Sequence, residues 1–316
     1  MTDRRPHLVV AESGGFDAEA AATLETSFRV SWLDADRSTL KSSVVDADAL
    51  WVRLRHHIDG DLIAAAPRLT VVATPTTGHT HLDEVALAAR DIAVCSLRGE
   101  TEFLRSIRAT AEHTVLLMLA ALRHLPGATR SVNDGRWDRD AFRGGELSSR
   151  TVGIVGWGRL GRMVGELAAA FGARVVMCDP HVADAPVPNL GLHALFATAD
   201  IVSLHVALTP STTGLIDEVA LQHARPGAWL VNTARGEVVD EGAVERAVLA
   251  GTLAGYATDV LCREQSAGMG DHPLVRRAAI DPRFLITPHI GGATAESMAR
   301  TERHLARRLV ARWISP

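Results

Sequence analysis

The sequence predicts an α/β protein of two domains, each a parallel sheet wrapped by helices, the second one doubly wound. Three observations predict it. Short β-branched runs alternate with Ala-rich helical stretches along most of the 316 residues, these runs fall into two blocks, and a glycine-rich turn opens the second block. A chain of this length can bury two separate cores.

The first block has strand candidates at residues 7–10, 28–32, 49–53, 69–73 and 92–95, with helical stretches at 58–66 and 82–90 among them. One long helix is expected over 108–125, nearly all apolar in its second half and therefore buried on every side, with Pro126-Gly127 stopping it. The second block has strand candidates at 152–155, 174–178, 201–204, 229–232, 256–260 and 284–287. A last amphipathic helix runs to Trp313. Because it follows the final strand it is placed to return to the first block, so the expected domains are 1–98 with 291–316, and 99–290.

Composition narrows the class. Hydrophobic residues make up 47% and charged residues 22%, and the formal net charge of −4 offers no polyanion-binding surface. The basic run from Arg303 to Arg312 alternates with apolar residues as a solvated helix face does. No apolar run nears the ~20 residues that span a bilayer, the longest being 115–122, and the first residues lack a signal-peptide core. Cys95, Cys178 and Cys262 lie far apart with no CxxC pair, which suits a reducing cytoplasm rather than a disulfide framework or a zinc site.

The sharpest local signal is Gly156-Trp157-Gly158-Arg159-Leu160-Gly161, preceded by a buried strand and followed by a helix over 162–171. Gly156 suits the tight turn, Gly158 lets backbone approach a pyrophosphate, and Gly161 lets helix pack on strand. Phosphates would then meet the N–H groups at the helix start. Asp179 ends the next strand, where it would accept from ribose hydroxyls and repel a 2′-phosphate, favouring NAD over NADP.

Open parallel sheets bind ligands beyond the carboxyl ends of their strands. Read there, the second block gives Arg235 after its fourth strand, Asp259 in the last turn of its fifth and His289 after its sixth, with Glu264 five residues beyond Asp259. Groups suited to acid–base work collect at one edge.

Taken in order, Gly153-Ile154-Val155-Gly156 with its glycine turn, Leu204-His205-Val206-Ala207-Leu208-Thr209, Val231-Asn232-Thr233-Ala234-Arg235-Gly236, Asp259-Val260 and Thr287-Pro288-His289-Ile290-Gly291-Gly292 resemble the D-isomer-specific 2-hydroxyacid dehydrogenase family. The resemblance covers most of the chain, including Ala111-Glu112-His113. It implies a Rossmann NAD-binding domain beside a smaller flavodoxin-like substrate domain, with the active site in the cleft between them, and a homodimer. It implies that Arg235 holds the substrate carboxylate and 2-oxygen, that His289 is the general acid and base, and that Glu264 fixes the imidazole tautomer and raises its pKa. It further implies nicotinamide contact at Asp259 and cofactor contacts at Arg159, Leu160, His205, Thr212, Thr233 and Ala234.

The same resemblance assigns the substrate-carboxylate loop to 76–79, with the N–H groups of Thr77 and Gly78 as donors. Arg53 and Arg55 alternate at one strand end and are candidates for a second anionic group on the substrate, though solvated arginines read the same way. His79 and His81 have no third ligand at metal spacing, so no metal is expected. Departures from the family pattern are Leu54 for a small hydroxyl residue, Ala207 and Gln265 for prolines, and a link over 98–108 about six residues longer than usual, read as a cleft lining or a solvent-facing extension. The expected activity is NAD-dependent hydride transfer between a small 2-keto acid and its D-2-hydroxy acid. A non-catalytic NAD(H)-sensing corepressor is the alternative, and formate oxidation ranks last because Glu264 stands where Gln would be expected.

Overall fold

The structure is a computed structural model describing residues 4–264 and 268–314. It divides into two compact units, one running to Ile107 and resuming at Thr294, the other spanning Arg108–Ala293.

The first unit is a parallel sheet of β1 (His7–Val10), β2 (Arg29–Trp32), β3 (Ala49–Trp51), β4 (Val71–Thr74) and β5 (Ala93–Ser96) in the order β2-β1-β3-β4-β5. That is the flavodoxin-like order. Alternation along the strands sorts their side chains onto two cores. Val9, Leu50 and Val72 face one layer, while Leu8, Val10, Trp51 and Val71 face the other. Both faces are therefore covered, which is why Leu8–Val10 and Val71–Ala73 are apolar without interruption.

Four helices in this unit start where an aspartate precedes them. Asp17, Asp36, Asp59 and Asp83 each accept a backbone N–H three residues on, at 2.8–3.0 Å, a cap generally worth about 1 kcal/mol. The last helix, Ala295–Ile314, places Leu305, Ala306 and Leu309 in the core with Leu8 and Trp51. The long 98–108 link is fastened to this helix. Phe103 stacks on His304 with centroids 3.9 Å apart, and Glu100 takes His304 Nε2 at 2.9 Å and Arg308 at 3.0 Å. Leu104 and Ile107 of the link are buried, while Arg98, Gly99, Thr101, Glu102, Arg105, Ser106 and Arg108 are exposed.

The second unit is a parallel sheet of β6 (Thr151–Val155), β7 (Arg174–Cys178), β8 (Ile201–Leu204), β9 (Ala228–Asn232), β10 (Leu253–Thr258) and β11 (Phe284–Ile286). Its order is β11-β10-β9-β8-β6-β7, so the chain reverses direction across the sheet at β6. This is the doubly wound Rossmann arrangement, and the reversal is where such sheets bind ligands. Beyond β7, Asn189 makes a single parallel bridge to Met177.

One expectation fails here. The helix expected over 108–125 is Ala109–Leu122, and Pro126-Gly127, expected to stop it, lies inside a second helix, Leu125–Asn133, set off by His124 in a left-handed conformation (φ 51°). Pro126 sits in the first turn of the second helix, where its missing N–H has no intrahelical acceptor to lose, so it begins a helix rather than only ending one. Nor is the first helix buried all round, since Leu116 is 52% exposed. Among the described residues no helix is long and apolar enough to cross a membrane.

Candidate active site

Beyond the carboxyl ends of β9, β10 and β11, three loops are tied together by buried polar groups. Asp259, directly after β10, is 2% exposed. Its Oδ1 accepts from the Thr287 hydroxyl at 2.5 Å and the Ile290 N–H at 2.9 Å, and its Oδ2 accepts from the Gly291 N–H at 2.7 Å. His113 Nε2 lies 3.3 Å from the same carboxylate and 2.9 Å from the Thr287 hydroxyl. Burial alone would raise this carboxyl. The bonds from His113, Thr287, Ile290 and Gly291 outweigh it and hold the group below its usual value.

The clasp sets the backbone at His289. Its N–H donates to the Asp259 carbonyl at 2.8 Å, and the residue adopts φ 55°, a region that non-glycine residues seldom enter. From there Nδ1 meets Glu264 Oε1 at 2.5 Å, with the two side chains 24% and 17% exposed. With Nδ1 committed, Nε2 is the ring nitrogen left to exchange a proton.

Glu264 is aimed by its own loop. Cys262 donates its N–H to Glu241 at 2.8 Å, Arg263 donates to Glu237 at 3.3 Å, and Arg263 turns the chain with φ 57°. Burial raises the Glu241 carboxyl, and the Cys262 bond and His272 act against that shift. Arg235 follows β9 in extended backbone, its carbonyl taking the buried Asn232 amide at 2.9 Å and its own Nη1 reaching the Ala234 carbonyl at 2.6 Å. Burial pushes the guanidinium below its ordinary value, while the charges of Glu264 and Glu237 favour the cation. Arg235, Glu264 and His289 are thus one electrostatic group.

At the sheet's reversal point, Gly156 turns with φ 92°, and a Cβ on Gly161 would collide with the Gly156 carbonyl oxygen. Gly158 differs, since a Cβ there would meet nothing within 4 Å. No packing inside the protein accounts for a glycine at that position. The helix that follows, Arg159–Ala170, starts with no side-chain cap and no acidic residue in its first turn. Asp179 accepts the Trp157 N–H at 2.8 Å and the His181 N–H at 2.9 Å, which fixes its carboxylate beside the loop. Open space over a glycine, a helix start without an acidic residue in its first turn and a fixed carboxylate beside them together fit a dinucleotide.

A family model described as the D-isomer specific 2-hydroxyacid dehydrogenase, NAD binding domain, matches residues 115–291. The chain belongs to this dehydrogenase family. A Thermus thermophilus protein of solved structure is 33% identical and superposes with a TM-score of 0.82 over 96% of both chains. The D-lactate dehydrogenase of Aquifex aeolicus, solved with NAD and lactic acid, is 25% identical with a TM-score of 0.83, covering 98% of this chain and 95% of that one. Among curated relatives, the D-3-phosphoglycerate dehydrogenase of Mycobacterium tuberculosis is 39% identical over 285 residues, 88% of this chain and 52% of that protein. The chain spans about half the length of the curated relatives it matches.

Other positions expected from the dehydrogenase motifs fall as follows. Arg159 and Leu160 open the helix after the glycine turn, and burial lowers the Arg159 guanidinium. His205 Nε2 bonds Ser203 at 2.8 Å, and burial drives its pKa down to about 3, so it stays neutral. Thr212 closes its own loop by donating to the Ala207 carbonyl at 2.6 Å. Thr233 is buried against the Thr114 hydroxyl at 2.8 Å, and the Ala234 N–H is taken by Asn232.

In the first unit, Thr77 and Gly78 lie on the loop after β4, where Thr76 donates to the Gly78 carbonyl at 2.9 Å. Arg53 and Arg55, candidates for a second anionic group on the substrate or else solvated arginines, each meet a carboxylate. Arg53 pairs with Glu302 and donates to the Gly14 carbonyl, and Arg55 pairs with Asp34. Gln265 lies outside the described residues. The sequence motifs gave no role to Glu237, Glu241 or Thr287 as supports for the loops bearing Glu264 and His289. Their only signal was being acidic or hydroxyl residues next to a motif.

Proposed function

We propose that the protein interconverts a small 2-keto acid and its D-2-hydroxy acid with NAD, using Arg235, Glu264 and His289. One observation carries the reading: a histidine held at φ 55° with Nδ1 on a carboxylate 2.5 Å away. NADH, when bound, supplies the hydride for keto-acid reduction. His289 Nε2 gives the proton to the 2-oxygen and recovers it in the reverse direction. Glu264 keeps the ring in the tautomer that leaves Nε2 outward. Arg235 presents a planar fork to the carboxylate and 2-oxygen. The N–H groups of Thr77 and Gly78 are read as further carboxylate donors, and Asp259, already saturated by its loop, as a positioning residue that also borders the nicotinamide. Gly156, Gly158, Gly161 and Asp179 are read as the dinucleotide cradle, with Arg159, Leu160, His205, Thr212, Thr233 and Ala234 along it.

A homodimer and a cytoplasmic location belong to the same reading. The test is loss of nicotinamide absorbance across a panel of 2-keto acids, with NADPH run in parallel. Turnover with NADH on any member supports the reading. A preference for NADPH removes the role given to Asp179. Tight NADH binding with no turnover favours a sensor instead.

A further inference from the structure

Three consecutive amides on the turn that carries Glu264 each donate to a different carboxylate. The Leu261 N–H reaches Glu264 Oε2 at 3.4 Å, the Cys262 N–H reaches Glu241 Oε1 at 2.8 Å, and the Arg263 N–H reaches Glu237 Oε1 at 3.3 Å. The turn also presses on Gly236, where a Cβ would stand 2.1 Å from the Leu261 carbonyl carbon and 2.2 Å from the Cys262 nitrogen. The segment that opens with Arg235 therefore holds the turn bearing Glu264, by contact at Gly236 and by hydrogen bonds at Glu237 and Glu241. The Cys262 bond is the shortest of the three, so Glu241 is the firmest hold.

Glu241 opens the helix Glu241–Leu249, and its side chain is 14% exposed. Its Oε2 lies 3.2 Å from His272 Nε2. His272 precedes the helix Pro273–Ile280, and its Nδ1 accepts the Leu274 N–H at 3.3 Å. A ring nitrogen that accepts carries no proton, so the neutral ring has its proton on Nε2, facing Glu241. Both nitrogens of His272 are committed, unlike those of His289, so this ring orients a neighbour and exchanges no proton. Glu241 then faces two donors, the Cys262 N–H and the His272 Nε2–H, which the two oxygens of a carboxylate satisfy together.

We propose that His272 and Glu241 are positioning residues for Glu264. His272 fixes the Glu241 carboxylate, which fixes the Cys262 N–H and with it the turn that aims Glu264 at His289. The proposal rests on the dehydrogenase reading for the use of Glu264, and on these contacts alone for its placement.

The experiment reads histidine tautomers by nitrogen NMR at mildly alkaline pH, in protein carrying isotope-labelled histidine. Signals lost in His289→Ala and in His272→Asn assign the two residues. His289 is expected as the Nδ1–H tautomer and His272 as the Nε2–H tautomer. In Glu241→Gln one amide oxygen must serve two donors, and His289 should lose its single tautomer and populate both. His272→Asn should do the same to a smaller extent. Asparagine still caps the helix Pro273–Ile280, so that variant removes only the group facing Glu241. On the keto acid reduced fastest, kcat should fall about tenfold in Glu241→Gln and less in His272→Asn, with the KM for NADH within about twofold. An Nδ1–H tautomer at His272 overturns the proposal, as does an unmoved His289 tautomer or an unchanged kcat in the folded variants. Failure to reduce any keto acid sinks the dehydrogenase reading instead, and the tautomers then decide this proposal alone.

Discussion

The carboxyl ends of β9–β11 and those of β3–β5 both gather ionisable side chains, and they use them in opposite ways. In the second unit a single buried carboxylate, Asp259, collects donors from the His289 loop and leaves an imidazole whose outer nitrogen is uncommitted. In the first unit every arginine after β3 and β5 is matched to an acid. The difference teaches that charge count at a strand end does not report reactivity. What matters is which atom is left without a partner once the loops have closed.

Removing that atom should have the largest effect. His289→Ala is expected to lower kcat about a thousandfold, as loss of a general acid typically does, while NADH binding measured by fluorescence titration stays within about threefold. Comparable losses in both would make His289 a structural residue and erase the contrast. Next comes the imidazole's partner. Glu264→Gln should reduce kcat about ten- to a hundredfold with little change in the KM for NADH. Retained kcat would show that orientation does not depend on the carboxylate.

Asp259→Asn tests the clasp. It replaces an all-acceptor group with one whose amide faces backbone donors, and should cost about 3 kcal/mol in urea unfolding. The folded carboxyl sits below its unfolded value. Its contribution is therefore present above the unfolded pKa and lost as pH falls through the folded one, so the gap between wild type and variant should close on acidification. A gap that widens in acid would contradict the assigned charge.

Asp17→Asn sharpens the other side of the comparison with the smallest expected change. Asparagine still caps the helix Ala18–Glu25, so the variant removes only the bidentate pair with Arg303. A loss of about 0.5–1 kcal/mol is expected near neutrality. The Arg303 hydrogen bond holds Asp17 at about 2, so the loss should persist through weak acid and vanish only as pH approaches that value.

Much of the fold was legible because parallel strands advertise themselves. The run Leu8-Val9-Val10 and the run Val152-Gly153-Ile154-Val155 are buried on both faces and carry no other message. The glycine turn was legible for a similar reason, since Gly156 and Gly161 answer separate steric demands and Gly158 leaves open space between them. The break at His124 was hidden because Pro126 is compatible with a helix start as well as a helix stop. The pairing of Arg53 with Glu302 was hidden by distance along the chain, as the two stand 249 residues apart. Nothing local to Arg53 announces that its charge is already answered. The clasp at Asp259 was illegible for another reason. Half of its partners are backbone N–H groups, those of Ile290 and Gly291, which leave no mark in residue type at Ile290.

The split first unit also sets an order of events during synthesis. Arg108–Ala293 emerges from the ribosome as one uninterrupted stretch, so that unit can close its sheet as soon as its own last strand is out. The earlier residues cannot finish. Their core waits for Leu305, Ala306 and Leu309, and Arg53 waits for Glu302, all of which arrive after the later unit is complete. The part of the chain made first is the part that folds last, and until then it leaves its tryptophans, Trp32 and Trp51, without the final helix that belongs over them.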